Sequence, residues 1–244
     1  MNQILFTIVF VSAFSLQAFA SVKIQPTQSV VAAADTVAYS FQLIDGKTSQ
    51  PVTDKNLVET HTKILHLVVY DKSLNEFNHV HPEFDGTLWK VDLNLPVNGS
   101  YMVWAQGETT AGEEFSVYRS LAVVNGLTEN IVQPLGDVRT GTDGITQVEL
   151  DSTTVKAGKM VMLDFTVTHT DGTAPQLSPY LGAFAHVVAT ALNGTELIHV
   201  HPMEAGPTSG MLHATFPVSG EYRLWVQFID GVDLKTIPLS VVVK

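Results

Sequence analysis

Six histidines set the problem: His66, His79 and His81 in one half of the chain, His186, His199 and His201 in the other. Both sets follow one pattern. A histidine is followed by twelve residues and then by His-Val-His-Pro, ending at Pro82 and at Pro202, with every matched histidine displaced by 120 positions. Imidazole is the commonest metal ligand among side chains. Two histidines at i and i+2 on a strand point to the same side. The pattern therefore reads as two metal-binding modules, or as two halves of one site.

Turn chemistry brings the third histidine in. Asn-Gly is the strongest two-residue hairpin signal. With Asn193-Gly194 as the turn, Leu192 faces Thr195, Val188 faces His199 and His186 faces His201. Directly opposed Cβ atoms lie about 4.5–5.5 Å apart, so nitrogens on such arms can converge on one ion at about 2.0–2.1 Å. The first half lacks the Asn-Gly but keeps the spacing, which gives His66, His79 and His81 the same geometry. Val80 and Val200 then point the other way, toward a core. The bland alternative is a hydrogen-bonded structural cluster that duplication has copied. Among the other candidates, His61 would have to reach the site from a preceding loop, and its repeat mate is Leu181. Met203 follows the second motif and could supply a thioether, where the first half has Glu83. His213 is placed as a supporting group and His169 as a solvated turn residue.

Composition narrows the metal. The chain has nine histidines and no cysteine, which rules out disulfides, thiolate sites and cysteine catalysis. Imidazole-rich, sulfur-poor sites suit Cu(II) and Zn(II), and intrinsic affinity puts copper first. The formal net charge of −11 argues against an electrostatic hold on nucleic acid or anionic lipid. G-x-S-x-G and H-E-x-x-H are absent, and Glu196 is only a weak general-base candidate. An enzyme, whether dismutase-like or a metal hydrolase, is accordingly the third choice.

The elements that must hold these histidines repeat as well. Gly99-Ser100-Tyr101-Met102-Val103-Trp104-Ala105-Gln106 returns as Gly220-Glu221-Tyr222-Arg223-Leu224-Trp225-Val226-Gln227, and Val22–Phe41 aligns with Thr146–Phe165. A repeat of about 120 residues is the size of a domain. Short alternating segments predict strands near 22–26, 36–44, 63–70, 76–81, 87–94, 100–107 and 116–124. In the second half they fall near 145–151, 159–168, 183–191, 196–201, 211–216, 221–229 and 235–243. The expected fold is all-β, with two tandem immunoglobulin-like β-sandwich domains. Gly99-x-Tyr101 and Gly220-x-Tyr222 read as tyrosine corners, with Val103 and Leu224 in the core and Trp104 and Trp225 in or beside it. Asn98-Gly99 reads as a second turn. Residues 1–20, with a short apolar run and Ala18-Phe19-Ala20, read as a signal peptide cleaved before Ser21. The remaining boundaries are domain 1 at 21–125, a linker at 126–144 and domain 2 at 145–244. No later segment is apolar for long enough to span a bilayer as a helix.

The stretch from His66 through His79-Val80-His81-Pro82, with its counterpart from Tyr180 to Pro202 and Tyr222 to Phe228, resembles a module of poorly characterised exported bacterial proteins. That resemblance implies an association with heavy-metal or copper handling. The His-Val-His pair on a sandwich is also similar to the copper ligands of copper–zinc superoxide dismutase. The bridging histidine, zinc loop, disulfide and catalytic arginine of that family have no counterpart here. The leading expectation is a periplasmic or secreted protein that buffers, senses or transfers copper or zinc through duplicated trihistidine clusters, with another exported protein as a possible partner. The alternative is an interaction module of paired immunoglobulin-like domains whose histidines are structural.

Overall fold

The computed structural model describes residues 22–244 except His61, Thr195 and His201. The expected signal peptide and its cleavage site lie outside the described residues. In the first half the strands are β1 (Val22–Pro26), β2 (Val30–Ala32), β3 (Ala34–Asp45), β4 (Pro51–Val52), β5 (Leu57–Val58), β6 (His66–Asp71), β7 (Phe77–Val80), β8 (Glu83–Phe84), β9 (Trp89–Leu95), β10 (Gly99–Thr109) and β11 (Glu114–Val124). In the second they are β12 (Thr140–Asp143), β13 (Thr146–Leu150), β14 (Met160–His169), β15 (Leu177–Ser178), β16 (His186–Ala191), β17 (Leu197–Val200), β18 (Met203–Gly206), β19 (Ser209–Thr215), β20 (Gly220–Asp230) and β21 (Asp233–Val243).

Each half is a two-sheet sandwich of the immunoglobulin-like kind. One sheet of the first half runs β1-β3-β9-β8, with β4 beside β3. The other runs β2-β11-β10-β6-β7, with β5 beside β10. The second half repeats this as β12-β13-β14-β19-β18 and as β15-β20-β16-β17 with β21 on β20. Of the repeated histidines, His66 and His79 thus sit on β6 and β7, and His186 and His199 at the equivalent places on β16 and β17, while His81 directly follows β7.

Burial follows from the alternation of apolar residues. On β14, Val161, Leu163, Phe165 and Val167 point inward while Met160 and Met162 face solvent. That is the signature of a sheet with one wet side. β6 and β16 break the rule, being buried at every position. A strand covered on both faces needs a second layer, and in both cases that layer is the other domain.

The tyrosine corners form as expected. Tyr101 Oη donates to Val97 O at 3.0 Å and Tyr222 Oη to Val218 O at 3.1 Å, while Val103 and Leu224 are fully buried. Two expectations need correction. Asn98-Gly99 is no hairpin turn, because β9 and β10 belong to different sheets; Asn98 instead bonds the backbone of Gly126 through both ends of its amide. The expected linker 126–144 gives its last residues to β12, which pairs with β13 across Thr140–Glu149 to Asp143–Thr146. Gly141 lets β12 also lie close against β21, since a Cβ there would lie 2.5 Å from Pro238 O.

Candidate functional site

The two histidine-bearing sheets pack face to face. Side chains that point away from each sandwich core meet here: Val68, Tyr70, Leu74 and Trp104 from the first half, Val188 and Trp225 from the second, form one buried apolar cluster. The Trp225 ring stacks on Phe77 at 4.3 Å between centroids and on Tyr70 at 5.8 Å. Trp104 and Trp225 therefore lie beside the sandwich cores, in the seam between domains.

The hairpin register is the one the turn chemistry requires. Val68 faces His79 on β6–β7, and Val188 faces His199 on β16–β17. The turn itself differs from the expectation: Gly194 N–H bonds Ala191 O at 2.7 Å, so Leu192 and Asn193 are its central residues, and Gly194 follows them at φ +70°. The equivalent position in the first half is Leu74, at φ +61°. The first-half histidines close up accordingly. His66 Nδ1 lies 3.4 Å from His79 Nε2 and 3.2 Å from His81 Nε2. In the second half His186 Nδ1 lies 3.4 Å from His199 Nε2. His201 lies outside the described residues.

The outward nitrogens fix the tautomers. A carbonyl only accepts, so His66 Nε2–H donates to Thr60 O at 3.2 Å and His186 Nε2–H to Tyr180 O at 2.9 Å. His79 Nδ1–H donates to Gln227 Oε1 at 2.9 Å, while Gln227 Nε2 donates to Thr236 Oγ1. Burial pushes His79 down to about 3; the Gln227 bond works against this, and the neighbouring imidazoles reinforce it. Burial, with His66 beside it, takes His81 to about 3 as well. Neutral rings in these tautomers aim the lone pairs of His66 Nδ1 and His79 Nε2 at the same small space. Facing lone pairs repel, and a cation between them converts that repulsion into coordination. Two nitrogens bound tetrahedrally at about 2.0–2.1 Å lie about 3.3–3.4 Å apart, which is the spacing found in each half. Outward donation to a carbonyl or amide oxygen is the usual support of a ligating histidine.

The two clusters are not separate. His66 lies 5.1 Å from His199 and His79 lies 5.5 Å from His186, ring centroid to centroid. These two contacts exchange when each residue is replaced by its repeat mate. Thr62 Oγ1 donates to Leu181 O at 2.8 Å, beside Gly182, the mate of Thr62. Tyr70 Oη lies 3.1 Å from Oγ1 of its own mate, Thr190. The halves thus meet about a pseudo-two-fold axis, as in an isologous interface. His66, His79 and His199 each offer a nitrogen within 4.8 Å of the others, so the cluster draws on both domains. The symmetry is imperfect at Gln106, the mate of Gln227: it donates to Ser116 Oγ at 3.0 Å, yet its buried Oε1 has no hydrogen-bond partner among the described residues.

The remaining candidates lie elsewhere. Met203 is exposed on β18, and His213 on β19 contacts Met211 Sδ at 3.2 Å; both belong to the outer sheet. His169 is not a solvated turn residue. Its Nε2 is 2.7 Å from Asp230 Oδ2 and its Nδ1 is 2.7 Å from Thr173 Oγ1. Burial opposes the Asp230 charge, but bonds from His169, Gln176 and Thr146 outweigh it and hold the carboxyl below its usual range. Sequence reasoning missed Gln227, Thr60 and Tyr180. The repeat already held a signal for Gln227, in the matched Gln106.

No curated protein matches the chain. Among solved structures it is similar to a tetra-tandem repeat in the extending region of a large adhesion protein, at 13% identity and a TM-score of 0.31, covering 91% of this chain and 49% of that one. It is also similar to FdeC, an Escherichia coli adhesin, at 13% and 0.30, covering 92% and 64%. A two-domain fibronectin type-III segment of chicken tenascin gives 12% and 0.24, covering 89% and 95%. The chain thus spans about half of the first and under two thirds of the second, and overlaps this low carry nothing about function. A family model matches both halves, at residues 17–123 and 140–244, and the chain belongs to that family, described as a domain of unknown function, DUF8832.

Proposed function

We propose that the protein binds a transition-metal ion, copper first and zinc second, at the histidine cluster between its domains, and that it serves in metal buffering, sensing or transfer after export. The observation that carries this reading is the paired 3.4 Å spacing of His66 Nδ1 to His79 Nε2 and of His186 Nδ1 to His199 Nε2, with His66, His79 and His186 held in their tautomers by outward bonds to Thr60, Gln227 and Tyr180. His81, half-buried, is the ring through which solvent and ions reach the cluster: it lines a cavity of about 550 Å³ with Tyr39, Glu83 and Asp85. The test is elemental analysis after loading apo protein with Cu(II) or Zn(II) and removing excess metal. Retained metal, lost in His79→Ala together with His199→Ala, supports the reading. Absence of retained metal from folded wild type overturns it.

A second reading has its own observation. The same histidines lie in a seam already closed by Trp225, Tyr70 and Val188. In that reading the rings are structural, and the paired immunoglobulin-like domains form a rigid interaction module at the cell surface or in the periplasm. Folded wild type that refuses both metals would leave this reading in the lead.

A further inference from the structure

We infer that the solvent side of the second domain's β14-β19-β18 sheet is a soft-metal site, taking Cu(I) through the thioethers of Met162, Met203 and Met211 and the imidazole of His213. The histidine seam lies on the other sheet of that domain, and this site does not rest on it.

Three observations lead here. First, the register gathers these side chains. β19 carries Met211 and His213 at i and i+2, so both point the same way. Met162 on β14 lies directly across from His213, and Met203 on β18 directly across from Met211. Opposed Cβ atoms are about 4.5–5.5 Å apart, within reach of one ion for thioethers on flexible stems. His213 Nε2 already lies 3.2 Å from Met211 Sδ. A nitrogen and a sulfur bound tetrahedrally to one ion at about 2.0 and 2.3 Å lie about 3.5 Å apart, so the pair has little to open. Second, the side is wet. Val161, Leu163, Leu212 and Ala214 fill the core, while Met162 is 53% and Met203 54% exposed. Side chains so exposed fill no core gap, the usual use of methionine. Third, the fold does not need sulfur there. The register that pairs Met162 with His213 and Asp164 with Met211 pairs Ala38 with Asp92 and Ser40 with Lys90 in the first domain. Glu83 stands there in place of Met203. The duplicate thus builds the same sheet with a charged, sulfur-free surface.

Thioether is a soft donor, and soft donors select Cu(I). Coordination asks only that His213 carry its proton on Nδ1, the other neutral tautomer. The seam offers nitrogen alone and this side offers sulfur, so the two favour different oxidation states of copper.

The experiment titrates Cu(I), kept reduced by ascorbate under nitrogen, into the full chain against a chromophoric Cu(I) chelator, and records X-ray absorption of the loaded protein. Sulfur in the first coordination shell of the copper, in wild type and in His79→Ala with His199→Ala, supports the proposal. Met162→Leu with Met211→Leu should lower Cu(I) affinity at least about tenfold, the loss that even a supporting residue costs, and should leave Cu(II) content unchanged. Leucine nearly conserves the volume of methionine, and circular dichroism checks that the fold survives. A shell of nitrogen alone, or equal affinity in the leucine variant, overturns the proposal and leaves the seam reading standing. No retained Cu(I) overturns it as well. Cu(I) held by sulfur in a protein that refuses Cu(II) and Zn(II) supports this site and overturns the seam reading instead.

Discussion

The site is most sensitive at Gln227. Its amide oxygen takes the His79 Nδ1 proton and so leaves Nε2 to face His66. Removing such a support lowers metal affinity by about 10–100-fold. Gln227→Ala should therefore weaken copper binding by about that factor in calorimetric titration while both tyrosine corners keep the fold; unchanged affinity would remove Gln227 from the site. Acid provides a second check. His79 and His81 are depressed from the usual 6.5 to about 3, so below pH 6.5 the unfolded chain takes up protons that the folded chain refuses. Their contribution to stability is complete above that value and falls as the pH drops toward 3. The thermal midpoint of metal-free protein should decline from pH 7 to pH 5, and less so in the His79→Ala variant. An equal decline in both would assign the acid sensitivity to other groups. A third check is Arg223, which lies in the same seam with its buried Nε without a hydrogen-bond partner among the described residues; its repeat mate is Met102. Burial draws its charge down in affinity for the proton. A buried donor left without a partner costs stability, so Arg223→Met, which removes that Nε–H from a half-buried side chain and keeps much of the chain's length, should raise unfolding free energy by about 1 kcal/mol in urea titration.

At the level of the strands, the histidine hairpins were the most legible part of the sequence. Spacing set which residues share a face, and an Asn-Gly turn set the expected register, so Val188 opposite His199 followed without a structure, although the turn closes one residue earlier, around Leu192-Asn193. The short edge strands β4, β5, β8, β15 and β18 were not legible, because two to four residues carry no period of their own and pair only when a neighbour presents an edge. The turn at Leu74 was hidden for a different reason. A left-handed leucine costs about 1–2 kcal/mol in backbone strain, and tertiary packing offsets it, since Leu74 is 1% exposed in the seam. Leu74→Gly removes the strain but also a buried side chain, a loss of about 2–5 kcal/mol. Burial wins, so the variant should be less stable by about 1–3 kcal/mol in denaturant. A stabilised variant would mean that Leu74 contributes little packing.

For the molecule as a whole, the sequence announced two domains but not how they meet. No short-range signal says that the outer faces of β6 and β16 are covered, except that Val68 and Tyr70, like Val188, are apolar at positions that would otherwise be wet. With ligands from both halves, metal should join the domains into one cooperative unit. Calorimetry should show a higher midpoint on loading, by the mass-action increment for a ligand that binds only the native state, and a single transition. Two transitions insensitive to metal would mean that the domains do not share the ion. The pseudo-two-fold seam has one more consequence. A surface that recognises its own duplicate does not distinguish the duplicate in its own chain from that of a neighbour. Only the tether between Val124 and Thr140 favours the internal partner, by keeping it at high effective concentration. Shortening that tether until it can no longer span the seam should produce an exchanged dimer, each chain lending its second half to the other, with two complete histidine seams per pair.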